Sequence, residues 1–326
     1  MSKDRFGRNI DYLRISVTDR CNLRCIYCMP EEGIKLCPHS EILSYEEIIQ
    51  LVKVFKDLGV HKVRITGGEP LIRRNLPYLI EQINAFDSIK DIAITTNGIL
   101  LKELLLDLKK AGLKRVNISL DTLKRHRFEL ITKTDGLNNV LAGIEKSLEQ
   151  GLNPVKLNVV LMKGVNDDEI IDFVRLAEKQ PLHIRFIEYM PWGKVESWGE
   201  EKVIRTKEAM IRIEQALGKL EPVENSSGGP AINYSIKGFQ GVIGFINPVS
   251  SHFCNLCNRI RLTADGKLRL CLFSEKEVDV KNVLRSVKDE EILKSLIEKA
   301  ILNKPQGHNL EEHIKHHLRE MNQIGG

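Results

Sequence analysis

The sequence lacks the features of a membrane or exported protein. None of its apolar runs is long enough to cross a bilayer, and residues 1–5 contain no hydrophobic signal-peptide core. We therefore expect a cytoplasmic protein with no membrane contacts. The chain also has no basic tail, few aromatic residues (6%) and a net charge of only +5. Nucleic-acid binding needs a concentrated basic surface or a stacking platform, so it is not expected either.

Cysteine is sparse but clustered. Six of the seven cysteines fall into two short groups, and only Cys37 stands apart. Disulfides are rare in cytosolic proteins, so this arrangement indicates metal or redox chemistry. The first group places Cys21, Cys25 and Cys28 within eight residues. Three thiolates can hold a [4Fe–4S] cluster and leave its fourth iron open, whereas a zinc loop, the alternative, needs four ligands.

Short β-branched runs alternate with helical patterns over the first two thirds of the chain. The predicted strands are 12–17, 62–66, 90–95, 115–120, 155–161 and 183–188. The predicted helices lie near 45–58, 76–86, 101–111, 137–150, 167–179 and 206–217. Six successive βα units predict an α/β fold with a parallel sheet and helices outside. The rhythm stops near residue 218, which predicts domains at 1–220 and 221–326, with one further helix at 279–302.

Apolar and polar residues alternate along these strands. Parallel strands buried on both faces should be apolar throughout, so the polar face must line the inside of a curved or closed sheet. Its residues are Arg14, Ser16, Arg64, Thr66, Thr95, Asn117, Ser119, Lys156, Asn158 and Arg185. Such a lumen is a wet, cationic cavity, unlike the apolar core of a filled barrel. Six units where a full barrel has eight predict a partial (βα)6 TIM-type barrel, with an open sheet and one solvated face as the alternative.

The second cysteine group, Cys254, Cys257 and Cys271, lies in the C-terminal region. Its first pair has the spacing of half a zinc ribbon, but a fourth ligand is missing. Arg259 and Arg261 share one face if this segment is extended, and guanidinium groups bind phosphates bidentately. An open metal position beside two guanidiniums would be a candidate substrate site.

The C-terminal region also contains four histidines, His308, His313, His316 and His317. The second and fourth are one helical turn apart, but no carboxylate or cysteine completes a convincing ligand set with them. We interpret these histidines as solvated surface residues and Cys37 as a bystander to both cysteine groups.

The first cysteine group, with an aromatic residue directly before its last cysteine, resembles the radical S-adenosylmethionine (SAM) enzymes. In that family three cysteines hold a [4Fe–4S] cluster whose open iron chelates SAM. The run Gly67-Gly68-Glu69-Pro70 resembles the family's GGE motif, although by itself it is an ordinary turn. The resemblance implies SAM contacts at Tyr27, Gly68, Glu69, Ser119 and Met190.

The two cysteine groups together resemble the GTP 3′,8-cyclases, a family of radical SAM enzymes in molybdenum cofactor biosynthesis. The similarity also includes residues 11–22, residues 185–191 and the terminal Gly325-Gly326, a tail that reaches the active site in that family. The resemblance implies a second [4Fe–4S] cluster on the second cysteine group and no catalytic side chain beyond the clusters. The GTP contacts that it implies are Arg14, Arg64, Thr95, Lys156, Arg259 and Arg261.

The implied reaction begins with reductive cleavage of SAM to methionine and a 5′-deoxyadenosyl radical. That radical takes the C3′ hydrogen of GTP. The resulting C3′ radical attacks C8 of guanine, and reduction and protonation of the cyclised radical give 3′,8-cyclo-7,8-dihydro-GTP. The implied partners are GTP, an electron donor such as flavodoxin or ferredoxin, and a downstream cyclic pyranopterin monophosphate synthase; a homodimer is compatible with this interpretation. The alternatives are a radical SAM enzyme that modifies peptides, and a non-catalytic module such as an electron carrier or zinc-stabilised adaptor.

Overall fold

The computed structural model describes residues 2–30, 32–190, 200–224, 229–248, 250–287, 289–308 and 319–325. Six strands alternate with helices in its first part. The strands are β1 (Tyr12–Ser16), β2 (Lys62–Thr66), β3 (Asp91–Thr96), β4 (Arg115–Ser119), β5 (Val155–Leu161) and β6 (Leu182–Glu188). The helices are α1 (Tyr45–Asp57), α2 (Leu76–Asn84), α3 (Leu101–Lys110), α4 (Arg125–Thr132), α5 (Leu137–Glu149), α6 (Ile170–Lys179) and α7 (Thr206–Leu217). The predicted strands and helices are confirmed to within three residues at each end, and α4 was not predicted.

The C-terminal region consists of short strands followed by helices. The strands are β7 (Glu221–Val223), β8 (Ile232–Ser235), β9 (Val242–Ile246), β10 (Arg259–Leu262), β11 (Lys267–Arg269) and β12 (Glu277–Asp279). The helices are α8 (Val280–Ser286), α9 (Glu290–Leu302) and α10 (Met321–Ile324). The prediction of one helix over 279–302 is wrong. Asp289 begins a second helix there, because its carboxylate accepts hydrogen bonds from the amides of Glu291 and Ile292.

The strands of the described ranges form one sheet in the order β12-β11-β10-β1-β2-β3-β4-β5-β6-β9-β8-β7. Strands β1 to β6 lie side by side in parallel. Strand β10 continues the parallel arrangement beyond β1, and β9 continues it beyond β6. The chain therefore has the α/β parallel sheet of a partial TIM barrel, and strands from the C-terminal region extend that sheet at both edges.

The outer face of the sheet is apolar and covered by helices. Its side chains, which include Ile15, Ile65 and Ile118, are buried in one core cluster with helical residues such as Leu51 and Leu105. This arrangement directs the opposite, polar face of every strand to the inside. No helix in the described ranges combines the length and the apolar character that a membrane span requires.

An aromatic cluster joins the C-terminal strands to the barrel. Phe245 in β9 packs against Phe186 in β6 and against Tyr234 in β8, with ring centroids 5.9 Å and 5.8 Å apart. Phe173 in α6 contacts Phe186 from the other side, at 6.5 Å. Phe245 thus connects β9 to its parallel neighbour β6 and to its antiparallel neighbour β8.

We expect Phe245→Ala to lower the free energy of unfolding by about 3–5 kcal/mol, because it empties a fully packed site. Ile232→Ala on the neighbouring strand β8 is the matched control: its side chain is 52% exposed, so we expect a change within about 0.5 kcal/mol. Urea denaturation followed by circular dichroism measures both. A cost for Phe245→Ala as small as that of the control would show that the C-terminal strands do not depend on this cluster.

Candidate functional site

One cavity of about 360 Å³ is lined by residues from both cysteine groups. Its wall is formed by the inward-facing side chains of the parallel strands. The register places Arg14 of β1 between Arg64 of β2 and Arg261 of β10, and Lys156 of β5 beside Asn117 of β4. The predicted polar lumen is therefore confirmed, and the alternative of an open sheet with a solvated face is wrong.

The first cysteine group lies in the long loop between β1 and α1. Cys21, Cys25 and Cys28 are free thiols and line the cavity. Burial raises the pKa of Cys21 to about 11 and that of Cys28 to about 12. Backbone amides donate hydrogen bonds to these sulfurs, from Leu23 to Cys21 and from Asn322 to Cys28. Amide donors of this kind orient the sulfur ligands of iron–sulfur clusters and tune the potential of the cluster.

The run Gly67-Gly68-Glu69 fixes the start of this loop. The amide of Gly68 donates to the Thr18 carbonyl at 2.7 Å and that of Glu69 to the Arg20 carbonyl at 2.8 Å. A Cβ on Gly68 would lie 2.2 Å from the Arg20 carbonyl oxygen, so only glycine fits this approach.

The Glu69 carboxylate is buried behind the cavity wall. It accepts hydrogen bonds from the Thr96 hydroxyl and from the amides of Leu71 and Asn97. Burial raises the pKa of Glu69 to about 7 in spite of these donors. The carboxylate thus joins the ends of β2 and β3, and its contact with SAM stays a prediction.

Three further residues implied as SAM contacts, Tyr27, Ser119 and Met190, line the cavity together with Gly68. The Tyr27 hydroxyl donates to Asp121 at 2.6 Å, and the other oxygen of Asp121 accepts from the Val160 amide at 2.8 Å. Burial raises the pKa of Asp121 to about 6. Sequence reasoning missed Asp121, although a carboxylate two residues beyond a parallel strand is a usable signal.

Cations line the middle of the cavity. Arg185 belongs to its wall, and so do all six residues implied as GTP contacts. These six are Arg14, Arg64, Thr95, Lys156, Arg259 and Arg261. Burial, reinforced by neighbouring guanidiniums, lowers the pKa of Lys156 to about 6, of Arg185 to about 9 and of Arg261 to about 10. A buried charge is costly unless it is paired. The arrangement therefore favours an anionic ligand.

Several buried polar atoms of this wall lack a hydrogen-bond partner among the described residues. They are Nε of Arg64, Nε and Nη2 of Arg185, Oγ1 of Thr95 and Oδ1 of Asn158. Such orphaned atoms are rare in folded proteins and mark places where a ligand or ordered water belongs. They include both donors and acceptors, as a nucleotide with phosphates, sugar and base would require.

The second cysteine group closes the other end of the cavity. Cys254 and Cys257 precede β10, Cys271 follows β11, and all three are free and line the wall. Burial alone would raise the pKa of Cys257, but the Lys304 ammonium and the Arg259 guanidinium lower it to about 7. The Arg259 guanidinium lies 4.8 Å from the centre of the Phe253 ring.

Both thiol sets suit an iron–sulfur cluster by the chemistry of their donors. Within the described ranges, no three His, Cys, Asp or Glu side chains converge as they would on one metal ion. In a cubane each thiolate binds a different iron, so the thiols need not converge on one point.

The tail enters the same cavity region. The carbonyl of Gly325 accepts hydrogen bonds from Arg14 Nη2 at 3.0 Å and from the Thr66 hydroxyl at 3.2 Å. The Asn322 side chain donates to the Asp19 carbonyl at 2.8 Å. Gly326, the other residue of the predicted tail, lies outside the described residues.

Two residues of the second site were missed by sequence reasoning. Lys304 is 2% exposed and lines the cavity beside the second cysteine group. His308 also lines the cavity, against the rings of Phe273 and His252 at 4.2 Å and 4.3 Å, so its interpretation as solvated surface is wrong. The other three histidines, His313, His316 and His317, lie outside the described residues.

Two sequence profiles match this chain. One, described as Radical SAM superfamily, matches residues 15–177, and the other, described as Molybdenum Cofactor Synthesis C, matches residues 182–310. Among curated relatives, a GTP 3′,8-cyclase of Thermodesulfovibrio yellowstonii is 54% identical over 99% of this chain and 100% of its own length. A GTP 3′,8-cyclase of Listeria monocytogenes is 47% identical over 99% of both chains.

Solved structures share the fold at lower identity. Streptococcus suis SuiB bound to S-adenosylmethionine matches with a TM-score of 0.60 and 15% identity, over 98% of this chain and 76% of that one. A histidine-tagged anSMEcpe with bound AdoMet matches with a TM-score of 0.55 and 14% identity, over 86% and 78% of the two chains. At this identity the likeness concerns the fold alone.

We expect Lys156→Met to stabilise the ligand-free chain by about 1–2 kcal/mol at neutral pH, because it removes a buried amine whose protonation is opposed by burial and by the nearby Arg185, Arg115 and Arg64. The pKa of Lys156 is about 6 in the folded protein, whereas the ordinary value for lysine is 10.5. Between these two pH values the folded protein therefore binds fewer protons than the unfolded chain. The free-energy cost of burying this lysine declines as pH rises through that window.

The gain from Lys156→Met should accordingly shrink on going from about pH 7 to about pH 9, as measured by urea unfolding. Lys102→Met on the exposed side of α3 is the control and should show no gain. Destabilisation by Lys156→Met at both pH values would mean that the ammonium is fully satisfied within the protein.

Proposed function

This chain belongs to the GTP 3′,8-cyclase family of radical SAM enzymes, and from that premise we propose the roles of its cavity residues. It is a radical SAM cyclase of molybdenum cofactor biosynthesis that uses SAM and [4Fe–4S] clusters and takes GTP as its substrate. The observation that supports our assignment of residues is the single cavity that joins two cysteine groups through a wall of cations.

At the N-terminal end, Cys21, Cys25 and Cys28 would hold one cluster. Bound there, it would supply the electron that cleaves SAM to methionine and a 5′-deoxyadenosyl radical. Gly68 leaves room for SAM beside the cysteine loop, and Tyr27, Ser119 and Met190 form the surrounding wall. We propose that the main role of Glu69 is structural, because its carboxylate joins the ends of β2 and β3. A contact between Glu69 and the SAM amino group would be its secondary role.

At the C-terminal end, Cys254, Cys257 and Cys271 would hold the second cluster, and its open iron would bind the purine of GTP. Arg259 and Arg261 lie on β10, between Cys257 and Cys271, and the parallel register sets Arg14 and Arg64 alongside. Guanidinium groups bind phosphate oxygens bidentately. We propose that these arginines and Lys156 bind the triphosphate.

Thr95 and Arg185 would complete the GTP site. Each is on the inner face of the sheet with a buried polar atom that no described residue satisfies. Hydrogen bonds from these side chains to the ribose or the phosphates would fix the C3′ hydrogen in one orientation. Orientation of this kind restricts the radical to reaction with one hydrogen atom. Exclusion of water from the cavity prevents side reactions of the radical.

The partners and setting of the reaction stay proposals. Seven free cysteines support a reducing compartment, and hence a cytoplasmic enzyme. The chemistry requires a one-electron donor, for which we propose flavodoxin or ferredoxin, and the cyclised nucleotide would pass to cyclic pyranopterin monophosphate synthase. The homodimer and the division of the chain into 1–220 and 221–326 also stay predictions.

The alternative of a peptide-modifying radical SAM enzyme is less well supported. The solved structures that resemble this chain include S. suis SuiB bound to precursor peptide SuiA, at 15% identity. The curated cyclases are 47–54% identical over nearly the whole chain. The cations of the cavity also suit a triphosphate better than a peptide backbone.

The cysteine assignments predict iron content and products. Anaerobically loaded protein should hold about eight irons per chain, and replacement of either group of three cysteines by alanine should leave about four. With SAM, reductant and GTP, the variant without the first group should form neither 5′-deoxyadenosine nor cyclised nucleotide. The variant without the second group should form some 5′-deoxyadenosine but no cyclised nucleotide, as chromatography would show.

Cys37→Ala is the matched control for these variants and should keep both the iron and the products. An unchanged GTP reaction in the variant without Cys254, Cys257 and Cys271 would refute the role of the second group. A colourless parent that contains zinc would refute the assignment of both groups.

The tail predicts a separate effect on cyclisation. A Cβ on Gly325 would lie 2.9 Å from Thr66 Cγ2 and 3.2 Å from Ser16 Cβ. Gly325→Ala should therefore displace the tail and lower cyclisation by about 100-fold, as misplacement at an active site does, while SAM cleavage continues. Product ratios measured by chromatography would test this.

Gly238→Ala provides the matched control for Gly325→Ala. Gly238 also has a positive φ, +90° against +80° for Gly325, but a Cβ there meets nothing within 4 Å. Equal losses of cyclisation in both variants would trace the effect to backbone strain instead of the tail. Deletion of residues 325–326 should reproduce the loss seen in Gly325→Ala.

A further inference from the structure

The segment that follows α9 lies directly behind the second cysteine group. Lys304 is 2% exposed, and its ammonium donates hydrogen bonds to two backbone carbonyls, those of Arg259 at 2.8 Å and of Leu270. Arg259 is two residues beyond Cys257, and Leu270 directly precedes Cys271. One side chain therefore connects the two arms of chain that present these thiols.

Arg8 connects the remaining arm to the same segment. Its Nη1 donates to the Cys254 carbonyl at 2.7 Å and to the Gln306 carbonyl at 2.9 Å, and its Nη2 donates to the Pro305 carbonyl at 2.6 Å. All three cysteine arms are thus attached to residues 304–306 through the side chains of two cations. Hydrogen bonds that fix ligand-bearing backbone in this way pre-organise a metal site.

The two cations differ in how their charge is balanced. Arg8 forms a salt bridge with Asp4 at 2.6 Å. Lys304 forms no salt bridge with any described residue. Burial lowers its pKa, and so do Arg8 and Arg259, whereas Cys257 and Cys271, as thiolates, would favour its charged form. The Lys304 ammonium therefore lies near two of the three cysteines, in a buried setting where Coulomb interactions are strong.

We propose that Lys304 is a positioning residue for the C-terminal iron–sulfur site: it holds the Cys257 and Cys271 arms in place and raises the reduction potential of the cluster bound there. This inference rests on the proposed assignment of the second cysteine group. A nearby positive charge stabilises the reduced cluster, which carries one more negative charge than the oxidised one. The interaction with two carbonyl dipoles keeps the ammonium in position when the cluster changes charge.

The test uses the full-length chain with Cys21, Cys25 and Cys28 replaced by alanine, so that only the C-terminal cluster is present. Anaerobic redox titration followed by electron paramagnetic resonance gives its midpoint potential. In Lys304→Met the reduced-to-oxidised ratio at a fixed potential should fall about tenfold, a shift of about 59 mV to more negative potential. In Lys304→Arg, which keeps the charge, the potential should stay near that of the parent.

Lys304→Met in the chain that lacks Cys254, Cys257 and Cys271 is the control, and the potential of the N-terminal cluster should not change. Loss of iron in Lys304→Met but not in Lys304→Arg would support the proposal, because the cation is then needed to hold the arms. An unchanged potential in iron-loaded Lys304→Met, or equal iron loss in both variants, would overturn it. Absence of iron in the parent would instead refute the underlying assignment of the second cysteine group.

Discussion

The organisation of this site depends on positive charge that is buried in one enclosed space. Burial lowers the pKa of Lys156, Arg185 and Arg261, and the repulsion between neighbouring cations lowers these pKa values further. The helices on the outside pack on the sheet through a continuous apolar core, which offsets this repulsion. The stability of that core allows the inner face to remain unfavourable until an anion binds, as is common for functional sites.

The same charges suit the proposed separation of the two ligands. The N-terminal end of the cavity contains Asp121 and lies in front of Glu69, whereas arginines from β1, β2 and β10 dominate the other end. SAM carries a positively charged sulfonium and GTP a triphosphate, so each ligand is favoured at the end whose charge opposes its own. The charges that line the cavity therefore agree with the proposed binding of SAM and GTP at its opposite ends.

Much of the fold could be predicted because it depends on local patterns. Alternation along β1 to β6 identified the inner face, and the register confirmed it for Arg14, Arg64 and Lys156. The position of β9 and β10 could not be predicted, since it depends on pairing with strands far away in sequence. The same limit applies to Lys304 and His308. Nothing in the pattern around them distinguishes a cavity wall from surface, and only tertiary contacts place them there.

Described residues from the last part of the chain lie at both ends of the cavity. Residues 304–306 lie behind the second cysteine group, while the Asn322 amide reaches Cys28 and the Gly325 carbonyl reaches Arg14. Between them, Arg319 is held by Asp265 at 2.8 Å and by Glu277 at 2.8 Å. Linkage is reciprocal: if a ligand strengthens the docking of the C-terminal tail, then docking of the tail strengthens the binding of that ligand by the same factor. If the first cysteine group holds a cluster as proposed, we expect its loading and the docking of the tail to stabilise each other, because both involve Cys28.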